Sequence, residues 1–246
     1  MQTRFSIGAT ETELLDPSEV DSFGVVRMKS SHPGLDAMFD GGIIPGFVYS
    51  LSGEAGSGKT TFSLMALQSY GTAGKKCGYV SGEESISQLK DKTIRLQIDK
   101  FKIAHSPVLT SILDMMEELD IIVIDSLQAI VIPGETKQTE LKALNAIVAY
   151  AKEYQCAVIL ITHSTKDGKE KGNSSVLHIV DARIILRYGD DKAFITKEPR
   201  VFDVLKHRES NTGSIVFFMT EKGFDFNDPF QPWLSKNFGP QCYRKR

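Results

Sequence analysis

Gly53-Glu54-Ala55-Gly56-Ser57-Gly58-Lys59-Thr60 decides how this chain is read. The stretch fits the pattern G-x-x-x-x-G-K-[ST], a loop that cradles phosphate. Its glycines let successive backbone N–H groups turn inward around an anion, in conformations a Cβ would obstruct. Lys59 supplies a charge that reaches β- and γ-phosphates, and the Thr60 hydroxyl can ligate Mg²⁺. With Thr61, these residues form the candidate site for ATP. The flanks suit the motif. Residues 47–51, FVYSL, read as a buried strand entering the loop. Phe62, Leu64, Met65, Leu67 and Tyr70 follow at helical spacing, and Gly71 and Gly74 are expected to end that helix. A helix beginning on the loop adds its own preference for negative charge at its N-terminus.

Outward from the loop, the acidic residues fall at strand ends. Residues 77–81, CGYVS, read as a second buried strand, followed by Glu83 and Glu84. Ser85 and Gln88 have the spacing of a capping box, so a helix is expected to start there. In open α/β sheets the carboxyl ends of strands form the ligand crevice. Carboxylates are equally common in a solvated first helical turn, and the residues alone leave both readings open. Residues 101–104 are expected to form a third strand, followed by Ser106 and Pro107 as cap and first-turn proline of the next helix. Ile121-Ile122-Val123-Ile124-Asp125 has the Walker B form, an aliphatic strand whose terminal carboxylate can hold Mg²⁺. A further apolar strand at 157–161 leads to Thr162 and His163, which places that histidine at the same sheet edge.

The remaining segments are less pointed. Residues 1–22 are polar and acid-rich, a mobile arm or a segment that docks on a neighbouring subunit. Residues 23–28 are a candidate strand and 34–39 a short helix. The polar, glycine-rich stretch 164–175 carries Lys166, Lys169 and Lys171. Candidate strands at 180–187, 194–196, 201–205 and 214–219 follow in close succession, which suggests antiparallel hairpins extending the sheet. Lys206-His207-Arg208 ends one of them, and the tail from Asn227 reads as irregular.

Composition narrows the classes. The 246 residues suit one α/β domain, and a net charge of −2 confines any nucleic-acid contact to local patches. The three cysteines, Cys77, Cys156 and Cys242, lack metal-ligand spacing. The first two sit beside expected strands as reduced core thiols, which fits a cytoplasmic location. No apolar run has the length of a membrane span.

Taken in order, the phosphate loop, Tyr79-Val80-Ser81-Gly82-Glu83-Glu84-Ser85, Val123-Ile124-Asp125-Ser126, Thr162-His163-Ser164-Thr165-Lys166-Asp167-Gly168 and Lys206-His207-Arg208 closely resemble the ATPase core of the bacterial RadA/Sms family. That family belongs to the RecA superfamily of recombination and repair ATPases. The resemblance covers residues 24–225 and departs in two ways. The four-cysteine zinc finger and protease-like domain of full-length members have no counterpart, as in the core-only relatives of phages. Of the family's lysine-asparagine-arginine-phenylalanine-glycine motif, only Lys206 and Arg208 remain.

The resemblance implies a RecA-like P-loop NTPase core over residues 23–226, with a mostly parallel central sheet flanked by helices and antiparallel C-terminal strands. It implies that Glu83, or else Glu84, is the general base, that Asp125 positions Mg²⁺, and that His163 senses the γ-phosphate. The loops at 127–138 and 164–175 would meet single-stranded DNA through Lys137, Lys166, Lys169 and Lys171. Lys206 and Arg208 would reach the nucleotide of an adjacent subunit, which requires a homo-oligomeric ring, a hexamer for instance, or a filament. The expected activity is DNA-stimulated ATP hydrolysis, in a branch-migration motor or strand-exchange helper. A DnaB-like helicase core shares the lysine-x-arginine arrangement. A KaiC-like signalling ATPase that binds no DNA shares the paired glutamate, although the histidine-threonine-lysine region argues against it.

Overall fold

The computed structural model describes residues 24–137, 139–162, 178–189 and 198–230. The N-terminal arm and the strand expected at 194–196 lie outside these residues. The described strands are β1 (Val48–Gly53), β2 (Cys77–Ser81), β3 (Lys102–His105), β4 (Ile121–Asp125), β5 (Ala157–Ile161), β6 (Ala182–Tyr188), β7 (Glu198–His207), β8 (Gly213–Thr220) and β9 (Gly223–Phe230). The helices are α1 (Pro33–Met38), α2 (Lys59–Thr72), α3 (Ile86–Leu96), α4 (Leu109–Met116) and α5 (Thr139–Tyr154). All nine strands join one sheet in the order β3-β2-β4-β5-β1-β6-β7-β8-β9. Pairing is parallel from β3 through β6 and antiparallel from β6 to β9. This is the expected mostly parallel core with antiparallel C-terminal strands.

The apolar runs become strands because both faces of the sheet are covered. Side chains alternate between two cores. Tyr49, Leu51, Ile121, Val123, Ile159 and Ile161 enter one, with Phe62, Leu64 and Leu67 of α2 and Leu89 of α3. Val48, Ile122, Ile124, Val158 and Leu160 enter the other, with Ile112 and Leu113 of α4 and Leu144 and Ile147 of α5. Every residue of β1, β2, β4 and β5 is buried. The antiparallel strands add Phe202, Phe217, Phe224 and Phe226 to the first core, around Phe62 of α2. No helix among the described residues is long and apolar enough to cross a membrane.

Several local expectations change. α2 runs through Gly71 to Thr72. A β-carbon at Gly71 would stand 1.9 Å from the Lys100 carbonyl oxygen, so this glycine serves close packing inside the helix and does not end it. Residues 24–28 form no strand beyond the isolated bridge between Met28 and Ile43. Helix α4 begins at Leu109, past Pro107. Pro107 and Leu109 are instead hydrogen-bonded to Val131 through their main chains, which occupies the segment read as cap and first turn. β9 is an additional strand and continues to Phe230, beyond the position read as the start of the tail. The capping box is present, with Ser85 and Gln88 satisfying each other's main-chain N–H.

Candidate active site

Four parallel strands end on one edge, and their ends make a pocket of about 330 Å³ lined by Gly58, Lys59, Thr60, Glu83, Glu84 and Asp125. β1 delivers the phosphate loop there, and α2 starts at Lys59 with Gly58 before it in the left-handed region, φ 105°. A β-carbon at Gly58 would also meet Met219 at 2.8 Å and Phe224 at 3.2 Å, so a glycine is required twice over. The Lys59 ammonium donates to the Gly53 carbonyl at 2.8 Å and the Glu54 carbonyl at 2.9 Å. Burial pulls its pKa below the ordinary lysine value, while Asp125 and Glu83 oppose that shift.

Asp125 ends β4 almost buried. One carboxylate oxygen, Oδ2, accepts a hydrogen bond from the Tyr79 hydroxyl at 2.5 Å and a longer one from Thr60 Oγ1 at 3.5 Å. Burial and the Asp125 charge push the Tyr79 hydroxyl far above the usual phenol range, so it stays a donor. Among the described residues, no group of three or more His, Cys, Asp or Glu could hold a metal ion. Thr60 and Asp125 offer two hard oxygens side by side. That suits Mg²⁺, which keeps several waters and takes its other ligands from substrate phosphates.

The two glutamates are held differently. Ser81 Oγ accepts both of their main-chain N–H groups, at 3.2 Å and 2.9 Å. Glu83 then turns its carboxylate to Ser126, whose buried hydroxyl donates at 2.6 Å. Glu84 is engaged by Lys92 of α3, one turn and more along, with Nζ 2.6 Å from Oε2. One carboxylate is thus paired with a cation, and its neighbour sits beside Lys59 and Asp125.

Lys206 and Arg208 are elsewhere. Tyr49 of β1 is level with Ala182 of β6, and Gly53 with Leu186. β7 returns antiparallel, with His207 opposite Ala182. The Lys206–Arg208 end therefore stands at the start of β1, about 13 Å of strand behind Gly53. These residues do not join their own phosphate loop. Lys137 is exposed in the loop before α5. His163, Lys166, Lys169 and Lys171 lie outside the described residues; β5, which leads to them, ends on the pocket edge, where Thr162 N–H donates to the Leu51 carbonyl at 3.0 Å.

Sequence reasoning passed over Tyr79, Ser126 and Lys92. A tyrosine inside a buried strand needs a hydrogen-bond partner, and that signal was available for Tyr79. Tyr188, at the pocket end of β6, was also passed over. Its hydroxyl lies 3.1 Å from where a β-carbon on Gly56 would sit, and Arg200 stacks 4.4 Å above its ring.

A family model described as "ATPase: KaiC" matches residues 28–121 and 104–226. The chain belongs to the KaiC ATPase family. Its curated relatives include the DNA repair protein RadA of Haemophilus influenzae, 30% identical over 95% of this chain and 52% of that protein. RadA of Rickettsia typhi is 29% identical over 91% of this chain and 52% of its own length. RadA of Mycobacterium tuberculosis H37Rv is 32% identical over 64% of this chain and 35% of its own. The chain spans about half the length of the first two. A KaiC-like protein of Pyrococcus horikoshii has the same fold, with a TM-score of 0.68 over 82% of this chain and 98% of that one, at 23% identity. KaiC-family membership and the RadA relatives together make this a RecA-superfamily ATPase core, as the motif order implied.

Proposed function

We propose that this ATPase hydrolyses ATP with Mg²⁺, is stimulated by single-stranded DNA, and acts in DNA recombination or repair as a ring or filament. The observation that carries the chemistry is the pocket that gathers Lys59, Thr60, Asp125 and Glu83 on one sheet edge. The RadA relatives carry the DNA half of the reading.

The triphosphate lies along the loop, its β- and γ-phosphates met by backbone N–H groups, by the start of α2 and by Lys59. Thr60 and Asp125 would hold Mg²⁺, which would neutralise charge developing on the phosphates. Glu83 is the base. Its carboxylate takes a proton from the attacking water as the bond from the water oxygen to the γ-phosphorus forms and the bond to the β,γ-bridging oxygen breaks, leaving ADP and phosphate, and Ser126 fixes the orientation of that carboxylate. Glu84 is instead engaged by Lys92 in an ion pair, which holds its carboxylate away from that role. His163, following β5, senses the γ-phosphate. Lys166, Lys169 and Lys171, with Lys137, neutralise the DNA backbone. Arg208 and Lys206 act on the nucleotide of an adjacent subunit, since their place in the sheet is remote from their own loop.

The deciding measurement is phosphate release with and without single-stranded DNA. A rise with DNA is expected. A folded, active enzyme that ignores DNA would favour the second reading, a KaiC-like signalling ATPase that binds protein and not DNA; the chain's KaiC family membership keeps that reading in view. A DnaB-like helicase core would share the stimulation and add duplex unwinding.

A further inference from the structure

The edge opposite the pocket buries one carboxylate that the chemistry above does not use. Asp181 precedes β6 and is 1% exposed. Its Oδ2 accepts the Val48 main-chain N–H at 3.0 Å, and its own N–H donates to the Val48 carbonyl at 2.9 Å. Its Oδ1 lies 3.0 Å from Arg208 Nη1. The Arg208 main-chain N–H donates to the Asp181 carbonyl at 3.2 Å. Burying a carboxylate is costly unless it is paired and hydrogen-bonded. Here it is the half-exposed guanidinium that closes the set.

The neighbouring residues restrict the same chain end. Lys206 donates its ammonium to the His178 carbonyl at 3.0 Å and the Val180 carbonyl at 2.5 Å. His207 points to the other side of the strand, with the rings of Phe47 and Tyr49 at 6.1 Å and 5.8 Å. Burial lowers the basicity of Lys206, and the nearby Arg208 charge adds to that shift. Two cations thus stand together on one buried anion and two carbonyls, with the strand pinned between them.

We propose that Asp181 is a positioning residue for Arg208. It holds one nitrogen of the planar guanidinium, which has five N–H donors in a fixed fork. The donors on the exposed side are thereby presented outward in a set direction, towards the triphosphate on an adjacent subunit. An arginine free to rotate about its side-chain bonds would have to be ordered at each turnover, and anchoring removes that requirement. The inference rests on the trans assignment of Arg208 made above.

Asp181→Asn separates this role from a brace for the fold. The carboxamide oxygen can still accept the Val48 N–H, whereas the charge that holds Arg208 is gone. The variant should fold and bind ATP with unchanged KM, while kcat falls about tenfold or more, towards the loss expected of Arg208→Ala, roughly 10³-fold for a missing arginine finger. Asp181→Asn combined with Arg208→Ala should be no slower than Arg208→Ala alone. Co-assembled with Lys59→Ala subunits, the Asp181→Asn protein should regain activity, because the partner brings an intact Asp181–Arg208 pair to an intact phosphate loop. If Arg208→Ala hydrolyses ATP like the wild type, the trans reading itself falls. If Arg208→Ala is slow but Asp181→Asn is as fast as wild type, or the two losses multiply, or co-assembly restores nothing, Asp181 does not position the finger. Should Asp181→Asn fail to fold, Asp181→Glu keeps the charge but moves it by one methylene. It is then held to the same kcat, KM and co-assembly criteria.

Discussion

The two ends of the parallel strands gather opposite kinds of charge. At the carboxyl end, Glu83 and Asp125 face one lysine and a helix start, in a pocket built for a polyanion. At the amino end, Arg208 meets a buried carboxylate and Lys206 donates to two main-chain carbonyls. The first end is concave and the second presents its guanidinium half exposed. On the function proposed here, neither end is sufficient: one holds the triphosphate, and the other supplies positive charge to a triphosphate held elsewhere. On that proposal, the difference teaches that a P-loop chain can contain every group of its reaction and still be unable to assemble them alone.

The comparison breaks most sharply at Lys59. Lys59→Ala should reduce hydrolysis to background in a folded protein, because no other cation among the described residues lines the pocket. Full phosphate release by that variant would remove this end from the reaction.

Next comes the asymmetry within the pocket. Glu83→Gln should keep ATP binding and lose about 10²–10⁴-fold in kcat, the usual worth of a positioned base. Glu84→Gln should cost less than about tenfold, since Lys92 already spends that carboxylate on a partly exposed ion pair. The reverse ranking, measured as single-turnover rates, would exchange the two roles.

A smaller effect is expected along the loop that follows β5. Replacing Lys166, Lys169 and Lys171 together with alanine should weaken single-strand binding and lower the salt slope by about 2 units, at roughly 0.7 per phosphate contact. An unchanged slope in a salt titration would leave DNA contact to other parts of the chain.

The smallest change concerns the amino end. Cys77 and Cys156 lie at the amino ends of β2 and β5, and burial pushes both thiols up to about 12. Only the thiolate is nucleophilic. A raised value keeps the thiol protonated through neutral and mildly alkaline pH, and the proton leaves only near that value. Iodoacetamide should therefore leave both unlabelled in the native protein and label both once it is unfolded, as peptide mass mapping can show. Native labelling would mean that this end of the sheet opens.

The carboxyl end was legible in the sequence and the amino end was not. The phosphate loop, the aliphatic strands and the Ser85–Gln88 box are local signals, set by residues close in the chain. Strands covered on both faces read as unbroken apolar runs, so β1, β2, β4 and β5 were evident before their order was. Strand order and register are different in kind. Nothing in Lys206-His207-Arg208 says that β7 runs back alongside β6, yet that pairing alone puts these residues behind the loop. Tyr79 meets Asp125, and Ser126 meets Glu83, only because β2 and β4 are neighbours. Asp181 falls inside the stretch read as a strand at 180–187, and nothing local to it points to Arg208. β9 alternates Phe224 and Phe226 with Asp225 and Asn227, a period-2 pattern that the brief turn at Glu221 and Lys222 concealed.

The contact between Gly58 and the β8–β9 hairpin bears on how the protein can be divided. Phe62, one turn into α2, has Phe202 at 4.5 Å, Phe224 at 5.7 Å and Phe226 at 5.8 Å. Met65 accepts the Phe224 main-chain N–H at 3.0 Å. The first turns of the nucleotide helix are thus clothed by residues some 160 positions later in the chain. A fragment designed to stop after β6 would retain every residue of the phosphate loop and strip the aromatic lining from the helix behind it. Split-protein and domain-grafting work should treat the hairpin as part of the loop's own module, and place any cut elsewhere.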